Sequence, residues 1–189
     1  MTALLDVLTA GYVGDRVAGT VTLVRDGALV AVIDPGMVAD RDRILGPLTD
    51  LQVAPGDVTD VVFSHHHPDH TVNAALFPNA RIHDFQATYV DDQWIDREFE
   101  DDVALLSLSV RLMLTPGHTP QDVTTLVDTD RGLVACTHLW WSAGGPLEDP
   151  YAEDAATLRA SRQRVLDLKP TLIVPGHGAP FVPLPSTPL

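Results

Sequence analysis

Cysteine is nearly missing from this chain: Cys136 stands alone, which excludes an intramolecular disulfide and any cage of thiolates around a metal. Lysine is as scarce, with Lys169 the sole example, and 12 Lys and Arg face 26 Asp and Glu for a formal charge of −14. A surface of that sign repels polyphosphate, so nucleic acid is not the expected partner and a small molecule is. No apolar run approaches the roughly 20 residues of a membrane span. Residues 1–17, MTALLDVLTAGYVGDRV, set Asp6 inside the apolar stretch with no basic segment ahead of it. Neither a membrane segment nor a secretory leader is expected, and the expected location is the cytoplasm. Oligomeric state leaves no mark that can be read.

What is present is enough apolar material for one core. A chain of 189 residues with 45% hydrophobic content matches a single domain spanning 1–189. Two β-rich runs between Gly19 and Gly36 meet at Asp26-Gly27, a hairpin dipeptide, and the second ends at the turn Asp34-Pro35-Gly36. Ile44, Leu45, Leu48 and Leu51 fall at helical spacing before Pro55-Gly56 breaks the pattern. A further strand leads into residues 63–71, and a short helix, a turn at Pro78-Asn79 and a strand through Ile82 follow. The acidic stretch 89–108 predicts strands and loops with a solvated face. Three strand-like runs then lead to Trp141, the last two meeting near Asp130-Arg131-Gly132. The clearest helix lies in 148–170, where Asp149 is the expected cap and Pro150 suits the first position. Arg159, Arg162 and Arg164 on it read as a solvated face. A last strand ends in Pro175-Gly176-His177.

Residues 63–71, FSHHHPDHT, put four of the eight histidines and one aspartate directly after a strand. His65 and His67 are two apart on extended chain and point the same way, as two ligands of one ion must. Asp69 and His70 follow the turn at Pro68. His118 in TPGHT and His177 in VPGHG each follow Pro-Gly, which sets an imidazole on a tight turn at a strand end. Nitrogen and oxygen donors without sulfur suit Zn²⁺, Mn²⁺ or Fe²⁺.

These residues resemble the metallo-β-lactamase fold superfamily, whose HxHxDH signature matches His65, His67, Asp69 and His70. Asp34 in VIDPG, the signature, TPGHT, GLVACTHLWW and VPGHG occur in that family's order. More narrowly, IHDF, PGHTPQDVT and VPGHGAPF look similar to its small single-domain subgroup of metallo-β-lactamase domain-containing protein one. The resemblance implies an α/β fold, a four-layer αβ/βα sandwich, with two divalent ions at one edge, zinc first and manganese or iron as alternatives. His65, His67 and His118 look like one ion's ligands and Asp69, His70 and His177 the other's.

The departure is His138. Family members carry there an Asp that bridges the two ions; here Thr137-His138 stands instead. Three readings follow: His138 as a terminal ligand, a site with one ion, or Glu148 or Asp149 from the next loop replacing the bridge. Around these, Asp34 is expected to support the site without ligating, and Asp122 to orient a ligand histidine. His83 either lines the site or pairs in the core with Asp84. Trp140 and Trp141 are candidates for a pocket wall or for core packing. His66, on the opposite face of its strand, is assigned to packing or hydrogen bonding, and Cys136 to the core.

The implied reaction is hydrolysis by a metal-activated hydroxide, with Asp69 orienting the nucleophile or returning a proton. The expected substrate is a small ester, thioester, lactone or phosphodiester. The alternatives are a nuclease of the same fold, a metal-binding protein that has lost catalysis, and an iron-dependent oxidoreductase of the sulfur-oxidising type.

Overall fold

A computed structural model describes residues 2–189. Its first sheet has seven strands in chain order: β1 (Leu4–Thr9), β2 (Val21–Asp26), β3 (Leu29–Ile33), β4 (Asp60–Val62), β5 (Arg81–His83), β6 (Ala87–Val90) and β7 (Gln93–Asp96). The second has five, in the order β12 (Leu172–Pro175), β11 (Gly132–Thr137), β10 (Val123–Thr129), β9 (Val110–Leu114) and β8 (Val103–Leu105). The parallel pairs are β3/β4, β4/β5 and β11/β12. Parallel strands end on the same side, so the chain leaves β3, β4 and β12 toward one edge of the sandwich. The link from β9 to β10 turns there too.

The strand sequences explain the layering. Val24, Ala31, Ile33 and Val62 of the first sheet meet Val110, Leu112, Val123, Val127, Val134 and Val174 of the second in one buried cluster. β-branched side chains favour this pleated, doubly covered setting. Helix α1 (Asp42–Asp50) covers the other face of the first sheet, setting Ile44 and Leu48 on Leu23, Val32 and Val61. Helix α3 (Ala155–Asp167) covers the second, with Leu158 and Val165 against Leu126, Ala135 and Ile173. The order helix, sheet, sheet, helix is the expected αβ/βα sandwich. A single turn of helix, α2 (Pro68–Thr71), lies at the edge where the parallel strands end. Among the described residues, no helix is long and apolar enough to cross a membrane.

Three local expectations need correction. Helix α3 starts at Ala155, where the Asp154 carboxylate accepts from the Ala156 and Thr157 amides at 3.0 and 3.2 Å. Asp149 is not the cap because its carboxylate is committed to His118 and Trp141. Arg162 is not solvated: it is fully buried, donates to the Leu139 and Pro146 carbonyls at 2.9 Å and stacks 5.6 Å from the Trp140 ring centre. Strand β1, at the sheet's margin, was not foreseen.

Leu48 has no exposed surface and joins α1 to the first sheet. Leu48→Ala is expected to cost about 2 to 5 kcal/mol of unfolding free energy in urea denaturation, by lost transfer energy and the cavity left.

Candidate metal centre

Strand β4 ends at Val62, the chain bends at Ser64 and His65, and after an extended His67 Pro68 opens α2. That short path delivers His65, His67, Asp69 and His70 to one point. His118 arrives on the turn between β9 and β10, His138 directly after β11, and His177 after the Pro-Gly at the end of β12. Two backbone hydrogen bonds hold the sheets together here, Val123 N–H to the Ser64 carbonyl and Thr20 N–H to the Gly176 carbonyl, both at 2.8 Å.

Three overlapping sets of donors have all their ligand atoms within 4.8 Å of one another: His65, His67 and His118; Asp69, His70 and His177; and His65, His70 and His138. Each set takes two side chains from the first sheet's edge and one from the second's. The first two are the sets that the sequence resemblance implied.

The outward nitrogens are anchored. His65 Nδ1 lies 3.0 Å from Ser64 Oγ, His70 Nδ1 2.8 Å from Asp34 Oδ2, His118 Nδ1 2.8 Å from Asp149 Oδ2, and His177 Nδ1 2.9 Å from the Ala18 carbonyl. Within the cluster, His67 Nδ1 and His118 Nε2 are 3.1 Å apart, and His138 Nε2 and His177 Nε2 are 3.2 Å apart. His65 Nε2, His70 Nε2 and His138 Nδ1 are buried without a hydrogen-bond partner. Buried polar atoms are rarely left so. Converging lone pairs, with His65, His70, His118 and His177 each backed by a bond on the far nitrogen, are the arrangement of ligands around a metal. The donor set therefore fits a divalent ion.

The electrostatics agree. Burial, then repulsion from neighbouring imidazoles, pushes His65 and His138 well below the usual histidine range, so both are neutral and able to ligate. At His70 burial acts the same way, but the Asp34 and Asp69 carboxylates outweigh it and raise the ring to about 9. A metal must displace that proton. Asp69 stays ionised: burial opposes this, and His70, whose Nε2 is 3.3 Å away, overcomes it.

Asp34 sits where expected, accepting from the Ser64 amide and hydroxyl at 2.7 Å as well as holding His70. Asp122 does not orient His118. It shapes the turn that carries His118, accepting from the Thr119 amide at 3.1 Å and hydroxyl at 2.7 Å, and burial pushes its carboxyl up to about 6. His118 is oriented instead by Asp149, which had been weighed as a bridge. With one oxygen on His118 Nδ1 and Trp141 Nε1 and the other on the Tyr151 amide, that carboxylate lies behind the imidazole and away from the gap.

Trp140 is core, fully buried beside Leu139 and Leu158. Trp141 is a wall, its ring centre 6.0 Å from His118 and 6.1 Å from His177. Tyr151, unforeseen, continues that wall at 6.1 Å from Trp141 and 5.4 Å from His118. His83 neither lines the site nor pairs with Asp84; its Nε2 is 2.6 Å from Asp60, which also takes Arg81 Nε at 2.9 Å. Asp84 pairs with His66 at 3.0 Å and Tyr89 at 2.8 Å. Cys136 is buried in the core.

The sequence profile described as the metallo-β-lactamase superfamily matches residues 14–84. Metallo-β-lactamase domain-containing protein 1 of Xenopus laevis is 33% identical over 187 residues, covering 93% of this chain and 79% of that protein. The chain belongs to the metallo-β-lactamase superfamily. A metallo-β-lactamase homologue from Thermotoga maritima shares the superfamily fold with a TM-score of 0.77 at 24% identity, over 97% of this chain and 100% of that one. An N-acyl homoserine lactone hydrolase, solved with N-hexanoyl-L-homoserine at its catalytic metal centre, gives a TM-score of 0.65 at 17% identity, over 93% and 92%.

Two predictions follow from these contacts. Asp149→Ala leaves His118 Nδ1 and Trp141 Nε1 without their acceptor, and a loss of about 1 to 3 kcal/mol of unfolding free energy is expected in urea denaturation. Asp60 is lowered to about 2; burial opposes this, and its bonds from His83, Arg81 and Thr59 outweigh it. A depressed carboxyl stabilises above its unfolded pKa and loses that effect as pH falls through the folded one. Asp60→Asn should therefore lower the urea midpoint at neutral pH, with the gap to the parent narrowing between about pH 4 and 2.

Proposed function

We propose that this protein is a metal-dependent hydrolase of a carboxylic ester, thioester, lactone or phosphodiester in a small substrate, working with zinc. The observation that carries this reading is the set of inward, unpartnered imidazole nitrogens beside an ionised aspartate, Asp69. A divalent ion held there supplies Lewis acidity and makes water nucleophilic near neutral pH. Everything else falls to the chain's own groups. Asp34, Asp149, Ser64 and the Ala18 carbonyl fix the ring orientations, so no reorganisation is needed at the moment of reaction. Asp69 is deprotonated and partly accessible, which suits it to orient attacking water and to pass a proton to the leaving group.

Trp141 and the exposed Tyr151 offer the substrate flat apolar surface next to the donors. Lys169 is the sole lysine, and the charge of −14 opposes a long polyanion. Both features favour a small substrate over RNA or DNA. The lactone hydrolase of the same fold binds its ester-derived product at its metal centre, which supports an acyl or lactone bond.

The test is a panel of aryl esters, thioesters, lactones, phosphodiesters and single-stranded RNA offered to the zinc-loaded protein. Turnover of at least one small substrate is expected, with kcat/KM falling at least about 100-fold in Asp69→Ala, the scale of losing a group that moves a proton in the transition state. Failure on every small substrate would overturn the proposal, and cleavage of RNA alone would replace it with a nuclease.

A further inference from the structure

We infer that His138 makes this a centre for a single ion, held by His65, His70 and His138, and that this occupancy excludes filling the two outer sets together. The inference rests on the cluster being a metal centre and concerns how it is filled.

The first argument is sharing. His65 and His70 each have one nitrogen committed outward, to Ser64 and Asp34, and turn the other, Nε2, into the cluster, that of His70 with Asp69 Oδ2 3.3 Å away. His65 belongs to the first outer set and to the central one, and His70 to the second outer set and to the central one. An ion that takes both Nε2 atoms strips each outer set to two donors, His67 with His118 and Asp69 with His177. Two donors hold zinc poorly where four-coordination is the rule.

The second argument is charge. Paired divalent ions sit about 3.5 to 4 Å apart, and an anionic group between them offsets their repulsion. Here the residue at that position is the imidazole of His138, which is fully buried and has no carboxylate to offer. Asp69 would be the sole anion among the donors of two such ions. One ion on three imidazoles leaves one unit less uncompensated charge in a buried space than two ions sharing Asp69.

The third argument is room. The His138 ring lies flat against Gly176, where a Cβ would come within 2.7 Å of Nε2 and 2.8 Å of Cγ. The ring is thereby held among His65, His70 and His118, with centroids 4.5, 4.7 and 4.1 Å away. Its Nδ1 is buried without a partner, as expected of a ligand atom. The central arrangement also leaves Asp69 uncoordinated, free to act as a base.

Titrating the metal-free full chain with cobalt(II), read by visible absorbance and by elemental analysis after desalting, decides the matter. The expected result is one cobalt per chain in the parent and two in His138→Asp, which restores an anion at the centre. In the parent background, His138→Ala should weaken that single ion at least about 100-fold, beyond the loss from removing a supporting residue. His67→Ala, outside the central set, should change its affinity less than tenfold. Two ions in the parent, or one ion lost with His67→Ala and kept with His138→Ala, would overturn the inference and leave the hydrolase reading standing. No bound cobalt in folded parent, checked by circular dichroism, would overturn both. Aryl-ester turnover with a two-ion parent would sink only the inference.

Discussion

Six imidazoles and a carboxylate share one buried pocket, and the fold tolerates this only because the far side of the rings is tied down. A neutral imidazole has one donor and one acceptor, and both must be answered when water is excluded. The chain spends Asp34, Ser64, Asp149 and the Ala18 carbonyl on the outward nitrogens. Those four come from four different loops, so the loops are fixed by what the histidines need. The hydrogen bond from Val123 to Ser64 then sets how the second sheet lies on the first.

Carboxylates divide the molecule into two regimes. Asp34 and Asp149 are buried and aimed at imidazoles, and Asp60 at a histidine and an arginine. Each is offset by a partner within hydrogen-bond reach, the condition under which a buried charge is tolerable. Asp84 and Asp122 are buried as well, and most of the other acids lie on an exterior with few cations. A divalent ion in the pocket would therefore exert a positive field confined to its neighbourhood by the acidic exterior.

The strands were legible because their apolar runs end at strong turn signals. Asp26-Gly27 and Arg131-Gly132 mark hairpins whose glycines take positive φ, +61° and +109°. The ligand histidines were legible because Pro-Gly turns and the i, i+2 spacing put them at strand ends. What stayed hidden depends on partners distant in sequence. Asp149 and Asp154 offer the same cap chemistry, and only the place of His118, 31 residues before Asp149, decides which one opens the helix. Trp140 and Trp141 are neighbours of one type, separated by which side of the chain faces α3. The alternation rule predicts that they differ but not which is inward. Leu4–Thr9 carries Asp6 and Thr9 among its apolar residues and pairs only at the sheet's margin, so its pattern falls short of a strand signal.

Every donor set takes two side chains from one sheet and one from the other. An ion in any of them therefore works as a rivet through the sandwich. Its binding free energy adds to the free energy holding the halves together, because the unfolded chain has no such site. Occupancy and endurance become one property: an ion bound there would tighten the seam between the sheets, and its loss would loosen it.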